Sequence, residues 1–427
     1  MMNIKHDGLN LLMRAFFLRI HYFLVRFRLR REYKKRKIRV GFLVSEIAKW
    51  KGQSLYDFMS HTSDFEPIML VYPSPREIQE GNANRYVSEK VDYFRKSEMT
   101  VQSIWNSEHS EMNSIESLHI DILFYQQPWD IPPALGLMKM AKTCLTFYFP
   151  YYVLNNFSIS GDLYLSLHYC LYRYVLLNDY QVKLFQSYSK RCHYAGKMVG
   201  LGHPALDEFY LKKNQAATKN YVIYAPHFSF KCDGRSGREL PFYSSTFLEL
   251  GRVILDFAKS HPEINWVFKP HPRLRTELTD YEVWTKEEVD EYYEAWEKIG
   301  LSCFDSHYAE LFLESKAMIT DCNSFLTEYG CTGKPLIRLI PDNGASMPPP
   351  NPALKNLYDS FYKVYNEADL FDALNFLLVK NEDPNKKERL KQVEDAHLAG
   401  NYAAQNITNY IRTLLCGNSW RKDSEQS

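Results

Sequence analysis

A chain of 427 residues, 45% hydrophobic and 24% charged, holds enough material for two domains and a substantial core. Its net charge of +1 hides an asymmetry: residues 1–37 carry eleven Lys/Arg against two Asp/Glu, which leaves −8 on the rest. A nucleic-acid binder spreads basic charge over its folded domains, so the body of this chain does not fit that class. The eight cysteines, at positions 144, 170, 192, 232, 303, 322, 331 and 416, form no Cys-x-x-Cys pair. That argues against a zinc site and, with no secretory signal, against a disulfide framework; the expected compartment is the cytosol.

In chain order, residues 10–31 come first, an apolar stretch interrupted by Arg14, Arg19, His21, Arg26 and Arg28. Arginines at mid-span are costly inside a bilayer. The expectation for 1–37 is therefore a basic amphipathic helix lying on an anionic membrane surface, with Lys34, Lys35, Arg36 and Lys37 behind it. The competing reading is a helix packed on the first domain with its arginines in water.

Strands are expected at 38–44, 67–73, 121–125 and 144–149, with a helix-like stretch at 50–61. The alternation is βαβ-like and predicts a mostly parallel sheet over 38–205. There is no GxGxxG fingerprint after the first strand. A second domain over 206–415 repeats the pattern, with strands at 221–225, 265–269, 301–304, 317–320, 335–340 and 362–365. Helices are expected near 245–260, 285–299, 307–315, 324–331, 368–380 and 395–415, and the tail from Cys416 is expected to be disordered. The fold class predicted is α/β: two Rossmann-like doubly wound domains facing a cleft, with the last helix able to cross back to the first domain.

Three polar motifs follow apolar strands of the second domain: Ala225-Pro226-His227, Lys269-Pro270-His271-Pro272-Arg273 and Asp321-Cys322-Asn323-Ser324. Ligands of open α/β sheets bind at the carboxyl ends of strands. Flanking prolines hold His271 extended, and a His beside an Arg suits a phosphate oxygen. Asn323 or Ser324 is a natural helix N-cap whose first turn favours an anion, and capping alone would also explain both. Glu328 lies one turn beyond Ser324 and is placed to accept from ribose hydroxyls. His227, followed by Ser229, reads as a general base, a phosphate ligand or a tautomer-fixed structural histidine. Gly202-His203-Pro204 reads as a turn between the halves, with no chemistry assigned to His203.

The stretches VIYAPHFSF, WVFKPHPRL and MITDCNSFLTEYGCTGKPLI, in this order, with GHPALDEF before them, resemble over roughly 190–415 the CDP-glycerol glycerophosphotransferases, the polymerases and primases of wall teichoic acid and related capsule polymerases. The resemblance implies a GT-B fold, peripheral attachment to the cytoplasmic face of the plasma membrane, and transfer of glycerol phosphate from CDP-glycerol to a hydroxyl with release of CMP. It implies that His271 and Arg273 bind the donor diphosphate, that Asp321, Asn323 and Ser324 hold phosphate and part of the nucleotide, that Glu328 holds the ribose, and that Lys334-Pro335 shapes the cytidine side. From their places beside these residues, Lys269 and Ser229 are further donor-binding candidates, and the catalytic candidates are His271 and His227. Its partners would be the alditol donor, a membrane-associated glycan or polyol-phosphate acceptor, and the anionic membrane.

The chain departs from that pattern in its first domain. Teichoic-acid members carry a His-Gly pair after a strand, whereas here CLTFYFPYYVLNN holds Tyr148, Pro150 and Tyr151 and no histidine. His227, and behind it His168, are the candidates for the base. CDP-ribitol or another nucleotide-linked donor stays open, and with no Asp-x-Asp in the second domain no metal cofactor is required. The rival readings are a sugar-nucleotide GT-B transferase or UDP-sugar epimerase, and a non-catalytic membrane-docked assembly subunit.

Overall fold

The computed structural model describes residues 4–127, 129–153, 170–189, 197–212, 217–230, 245–302, 308–341, 354–396 and 402–416. His168 and the tail from 417 lie outside them. The chain forms two compact units: residues 1–153, 158–207 and 398–427 make the first, and residues 154–157 and 208–397 the second.

The first unit opens with α1 (Ile4–Glu32) and is built on a seven-stranded parallel sheet. Its strands are β1 (Ile38–Val44), β2 (Phe65–Val71), β3 (Val101–Ser103), β4 (Ile122–Tyr125), β5 (Leu145–Tyr148), β6 (Arg173–Leu176) and β7 (Met198–Gly200). They lie in the order β3-β2-β1-β4-β5-β6-β7. β1, β2, β4 and β5 are buried almost throughout, as strands covered on both faces must be. The helix expected over 50–61 is α2 (Gln53–Ser60).

The second unit carries a six-stranded parallel sheet of β8 (Tyr221–Ala225), β9 (Trp266–Phe268), β10 (Leu301–Ser302), β11 (Ser315–Thr320), β12 (Leu336–Leu339) and β13 (Tyr362–Val364). Their order is β10-β9-β8-β11-β12-β13, so the winding reverses between β8 and β11. The main connecting helices are α3 (Phe247–Ser260), α4 (Lys286–Ile299) and α5 (Asn323–Gly330). α4 starts with a capping box in which Thr285 and Glu288 bond each other's backbone N–H. The abundant aromatic residues fill this core: Phe268 stacks on Trp296 with centroids 5.1 Å apart, and Tyr224 packs against both.

Two expectations change. The last helix, α6 (Ala403–Cys416), belongs to the first unit, the crossing back that the sequence allowed, so the second unit stops short of 415. And α1 is not an amphipathic helix with one apolar face. Leu18, Tyr22, Val25 and Leu29 are buried against the first unit, while Phe16, Phe17, Ile20, Phe23, Leu24 and Phe27 are exposed. At 100° per residue these two sets fall on opposite sides of the helix. The inner face is fastened by polar contacts as well. Tyr22 donates to Cys170 O at 2.7 Å, Arg26 and Arg30 both donate to Leu414 O at the end of α6, and Arg36 pairs with Asp121. Several leader arginines therefore serve packing. Among the described residues, no helix is long and apolar enough to cross a membrane.

Candidate functional site

Strand register explains why the first two motifs meet. β8 pairs with β9 so that Tyr224 faces Phe268. Ala225-Pro226-His227 and Lys269-Pro270-His271 therefore leave the sheet at the same offset and run side by side. The pairing continues past the strands: Lys269 N–H donates to Tyr224 O at 2.8 Å and His271 N–H to Pro226 O at 2.9 Å. The two imidazoles end 5.0 Å apart. β11 lies on the other side of β8, with Thr320 opposite Ala225, which brings Asp321 level with the same loops. The three motifs thus gather at the carboxyl ends of β8, β9 and β11, beside the point where the winding reverses.

Backbone hydrogen bonds fix both tautomers. Ser229 N–H donates to His227 Nδ1 at 3.2 Å, and the Ser229 hydroxyl lies 2.7 Å from the same nitrogen. Arg273 N–H donates to His271 Nδ1 at 3.1 Å. A backbone N–H can only donate, so Nδ1 is the acceptor in both rings and the proton sits on Nε2. Burial, then the His271 and Arg273 charges, lowers His227 to about 3. Burial, then Arg273 and Lys269, lowers His271 to about 4. Both rings are neutral Nε2–H donors at physiological pH. That corrects the general-base reading of His227: its Nδ1 is already used, and a base of such low pKa holds a proton poorly.

Phe228 packs against both rings, 4.5 Å from His227 and 4.4 Å from His271 by centroid, so the three rings form a triangle. The Arg273 guanidinium stacks over it at 4.2 Å while pairing with Glu277. Sequence reasoning had passed over Phe228, although an aromatic next to a strand-end histidine was the available signal. Lys269 is buried, its ammonium 5.3 Å from the Tyr308 ring and 5.7 Å from that of Phe325.

Asp321 does a different job from the one expected. Its carboxylate accepts from His227 N–H at 2.6 Å, Thr246 N–H at 2.8 Å, the Ser245 hydroxyl at 3.0 Å and the Thr246 hydroxyl at 3.3 Å. A carboxylate only accepts, so it offers a phosphate no donor, and protein donors already fill its oxygens. It ties the His227 loop to the start of α3, and burial pushes it up to about 6 against the pull of those bonds. Asn323 and Ser324 are not the N-cap of α5; Cys322 is, in extended conformation and without a side-chain cap bond. Ser324 is exposed but Glu328 is buried, because Tyr308 and Phe312 pack on Phe325 and cover that turn. Tyr308 donates to Glu328 Oε2 at 2.5 Å, so the expected ribose ligand is engaged within the fold.

Lys334 is not brought to the site. It precedes β12, and its ammonium donates to the Phe312 and Leu313 carbonyls just before β11, at the amino end of the strands. From Ser315 to Asp321 the chain rises ~20 Å along the strand. Among the described residues, no group of three His, Cys, Asp or Glu side chains is placed to hold a metal.

In the first unit, Tyr148 is buried in β5 and the Pro150 carbonyl accepts from His203 Nε2 at 2.8 Å. Ala205 N–H donates to His203 Nδ1, and burial lowers this ring to about 4. His203 is a structural tie. Asp207 of the same motif accepts from the N–H groups of Ala403 and Ala404 at 2.8 and 2.9 Å, and so caps α6.

No family model matches the chain, and no curated protein does. Solved structures do. The wall teichoic acid polymerase TagF matches at 12% identity and a TM-score of 0.52, covering 97% of this chain and 98% of that one. The Staphylococcus aureus MnaA–UDP structure matches at 12% identity and 0.52, covering 88% of this chain and 97% of that one. UDP-GlcNAc 2-epimerase from Neisseria meningitidis, bound to UDP-GlcNAc, matches at 11% and 0.52, covering 88% and 100%. At such identities the likeness is one of fold: two Rossmann-like domains of the GT-B type. A wall teichoic acid polymerase, the kind of enzyme the motifs resemble, is among the proteins that share it.

Proposed function

We propose that the chain is a GT-B transferase that moves glycerol phosphate, or a related alditol phosphate, from its CDP-activated form to a hydroxyl acceptor. The observation that carries this reading is the pair of neutral imidazoles 5.0 Å apart, both with the proton on Nε2, beside the Arg273 guanidinium. Such a set offers directed N–H donors and one fixed positive charge. It suits a diphosphate better than an uncharged sugar ring.

In the reaction, the acceptor oxygen bonds to the β-phosphorus, the bond from that phosphorus to the bridging oxygen breaks, and CMP leaves with the bridging oxygen. The hydroxyl proton passes to solvent. A loose transition state asks little of a base and much of positioning and charge stabilisation. His227, His271 and Arg273 would hold the diphosphate oxygens and steady the charge on departing CMP. Asp321 would keep the His227 turn in place.

The test is CMP release from CDP-glycerol with polyol-phosphate or saccharide acceptors. His271→Ala is expected to lower kcat by about a hundredfold or more; full turnover in that variant would remove the site assignment. Binding of CDP-glycerol no tighter than of UDP-GlcNAc would sink the donor assignment. The fold shared with UDP-GlcNAc 2-epimerases supports one second reading, a UDP-sugar enzyme. It requires turnover of a UDP-sugar with no CMP released.

A further inference from the structure

The first unit has a switch point of its own. β2 and β3 extend its sheet to one side of β1, and β4 to β7 extend it to the other, so the winding reverses between β1 and β4. Ligands of open parallel sheets bind outside the carboxyl ends of the strands at such a point. A small pocket opens there. Ser45 and Glu46 line it after β1, Tyr72 after β2, and Gln126 and Gln127 after β4, with Lys49 at its side.

Hydrogen bonds hold this lining in place. The Ser45 hydroxyl donates to Gln127 Oε1 at 3.3 Å, Gln127 Nε2 donates to Trp129 O at 3.2 Å, and Gln126 Oε1 accepts from Lys51 N–H at 2.9 Å. Among the described residues, Lys49 is the only cation in the lining, and it pairs with Glu46. The pocket is therefore polar but balanced in charge. Its rim is aromatic. Tyr151 N–H donates to Gln126 O at 2.8 Å, which lays the loop after β5 on the loop after β4. Tyr151 thereby meets Trp129, with centroids 5.9 Å apart and ring planes at 88°. The Lys49 ammonium sits 5.7 Å from the Tyr151 ring centre, which ties this corner to the pocket. Trp129 is 39% exposed, and the next residue, Asp130, takes a left-handed φ of +56°, uncommon outside glycine. A sharp turn thus sets a large ring out at the rim instead of in the core.

We propose that this pocket binds the neutral sugar ring that carries the accepting hydroxyl. Trp129 and Tyr151 form its stacking walls, and the Gln127 amide, the Ser45 hydroxyl and the Glu46 carboxylate meet its hydroxyls. A pyranose has an apolar C–H face and a rim of hydroxyls, which matches an aromatic corner beside side-chain amides. Gln127 keeps a second N–H and a second lone pair for such a partner. A polyol phosphate brings no ring to stack, and its charge would meet a lysine already paired. Only the sugar's role as acceptor rests on the transferase reading; its binding does not.

Saturation-transfer NMR of the whole protein, without donor, reads binding of the methyl glycosides of glucose, galactose and N-acetylglucosamine. At least one is expected to bind and to resist displacement by glycerol 3-phosphate. Trp129→Ala should weaken that binding about tenfold, and Trp129→Phe should restore most of it. The urea midpoint of each variant reports whether it is folded. In turnover with a saccharide acceptor, Trp129→Ala should raise the acceptor KM by about the same factor and leave kcat near native. No glycoside bound, binding unchanged by Trp129→Ala, or displacement by glycerol 3-phosphate overturns the proposal. So does binding abolished by His271→Ala, which would put the sugar on the donor loops. A glycoside bound without any CMP release removes the transferase reading alone. CMP release with a polyol-phosphate acceptor and no glycoside bound removes this site alone.

Discussion

Asp321 shows how one buried carboxylate organises a site it does not touch chemically. Four donors from two segments converge on it. Asp321→Ala would leave the buried N–H groups of His227 and Thr246 unpaired, at a cost of about 3 kcal/mol. The expected result is a lower urea midpoint together with lower turnover, since His227 loses its anchor. Unchanged stability would show that the tie carries no weight. The histidines follow the same logic. Each imidazole is oriented by the N–H two residues on, and that bond decides that it donates from Nε2. Motif spelling could place His227 and His271 at strand ends, but the tautomer depends on local backbone geometry that spelling leaves open.

At the scale of elements, α6 is the piece whose place depends on distant residues. Asp207 accepts its first two N–H groups, and Gly202, with φ +93°, lets Ala403 approach. A Cβ at Gly202 would lie 2.8 Å from the Ala403 Cβ. Asp207→Ala is expected to cost about 2 kcal/mol through the lost cap and to raise amide exchange over 403–416 before the rest of the first unit. Exchange in that helix equal to the native protein's would count against the capping role. The motif Gly-His-Pro-Ala-Leu-Asp was legible as a turn. Its part in docking the last helix was not, because the partner lies almost two hundred residues away.

Over the whole molecule, buried histidines set the acid limit. His227, His271 and His203 are held at about 3, 4 and 4, below their ordinary value of 6.5. The unfolded chain takes up their protons below pH 6.5 and the folded chain does not, so this contribution is whole above 6.5 and drains away as pH falls toward 4. Asp321, raised from 3.8 to about 6, acts the other way and favours the folded state as pH drops through that window. Three groups outweigh one. The urea midpoint should fall between pH 7 and pH 5, and His227→Gln with His271→Gln should flatten part of the slope. A midpoint that does not move on acidification would falsify the neutral-ring assignment.

The sequence by itself determined the two parallel sheets. Near-continuous apolar runs at helix-length intervals permit little else, and most expected strands lie within two residues of the observed ones. The short strands β3, β6 and β7 escaped because three or four residues carry little period. Sequence also determined that the second sheet ends in polar Pro-His loops, since strand direction fixes which end is which. Only the tertiary structure decided the rest. Equal offset of β8 and β9 puts the imidazoles face to edge. Packing of Tyr308 and Phe312 takes Glu328 out of solvent, and helix-end carbonyls claim Lys334. The inner side of α1 turns out to be as apolar as its outer side. Each of these depends on which buried polar group finds which partner, and that is settled by contacts between residues far apart in the chain.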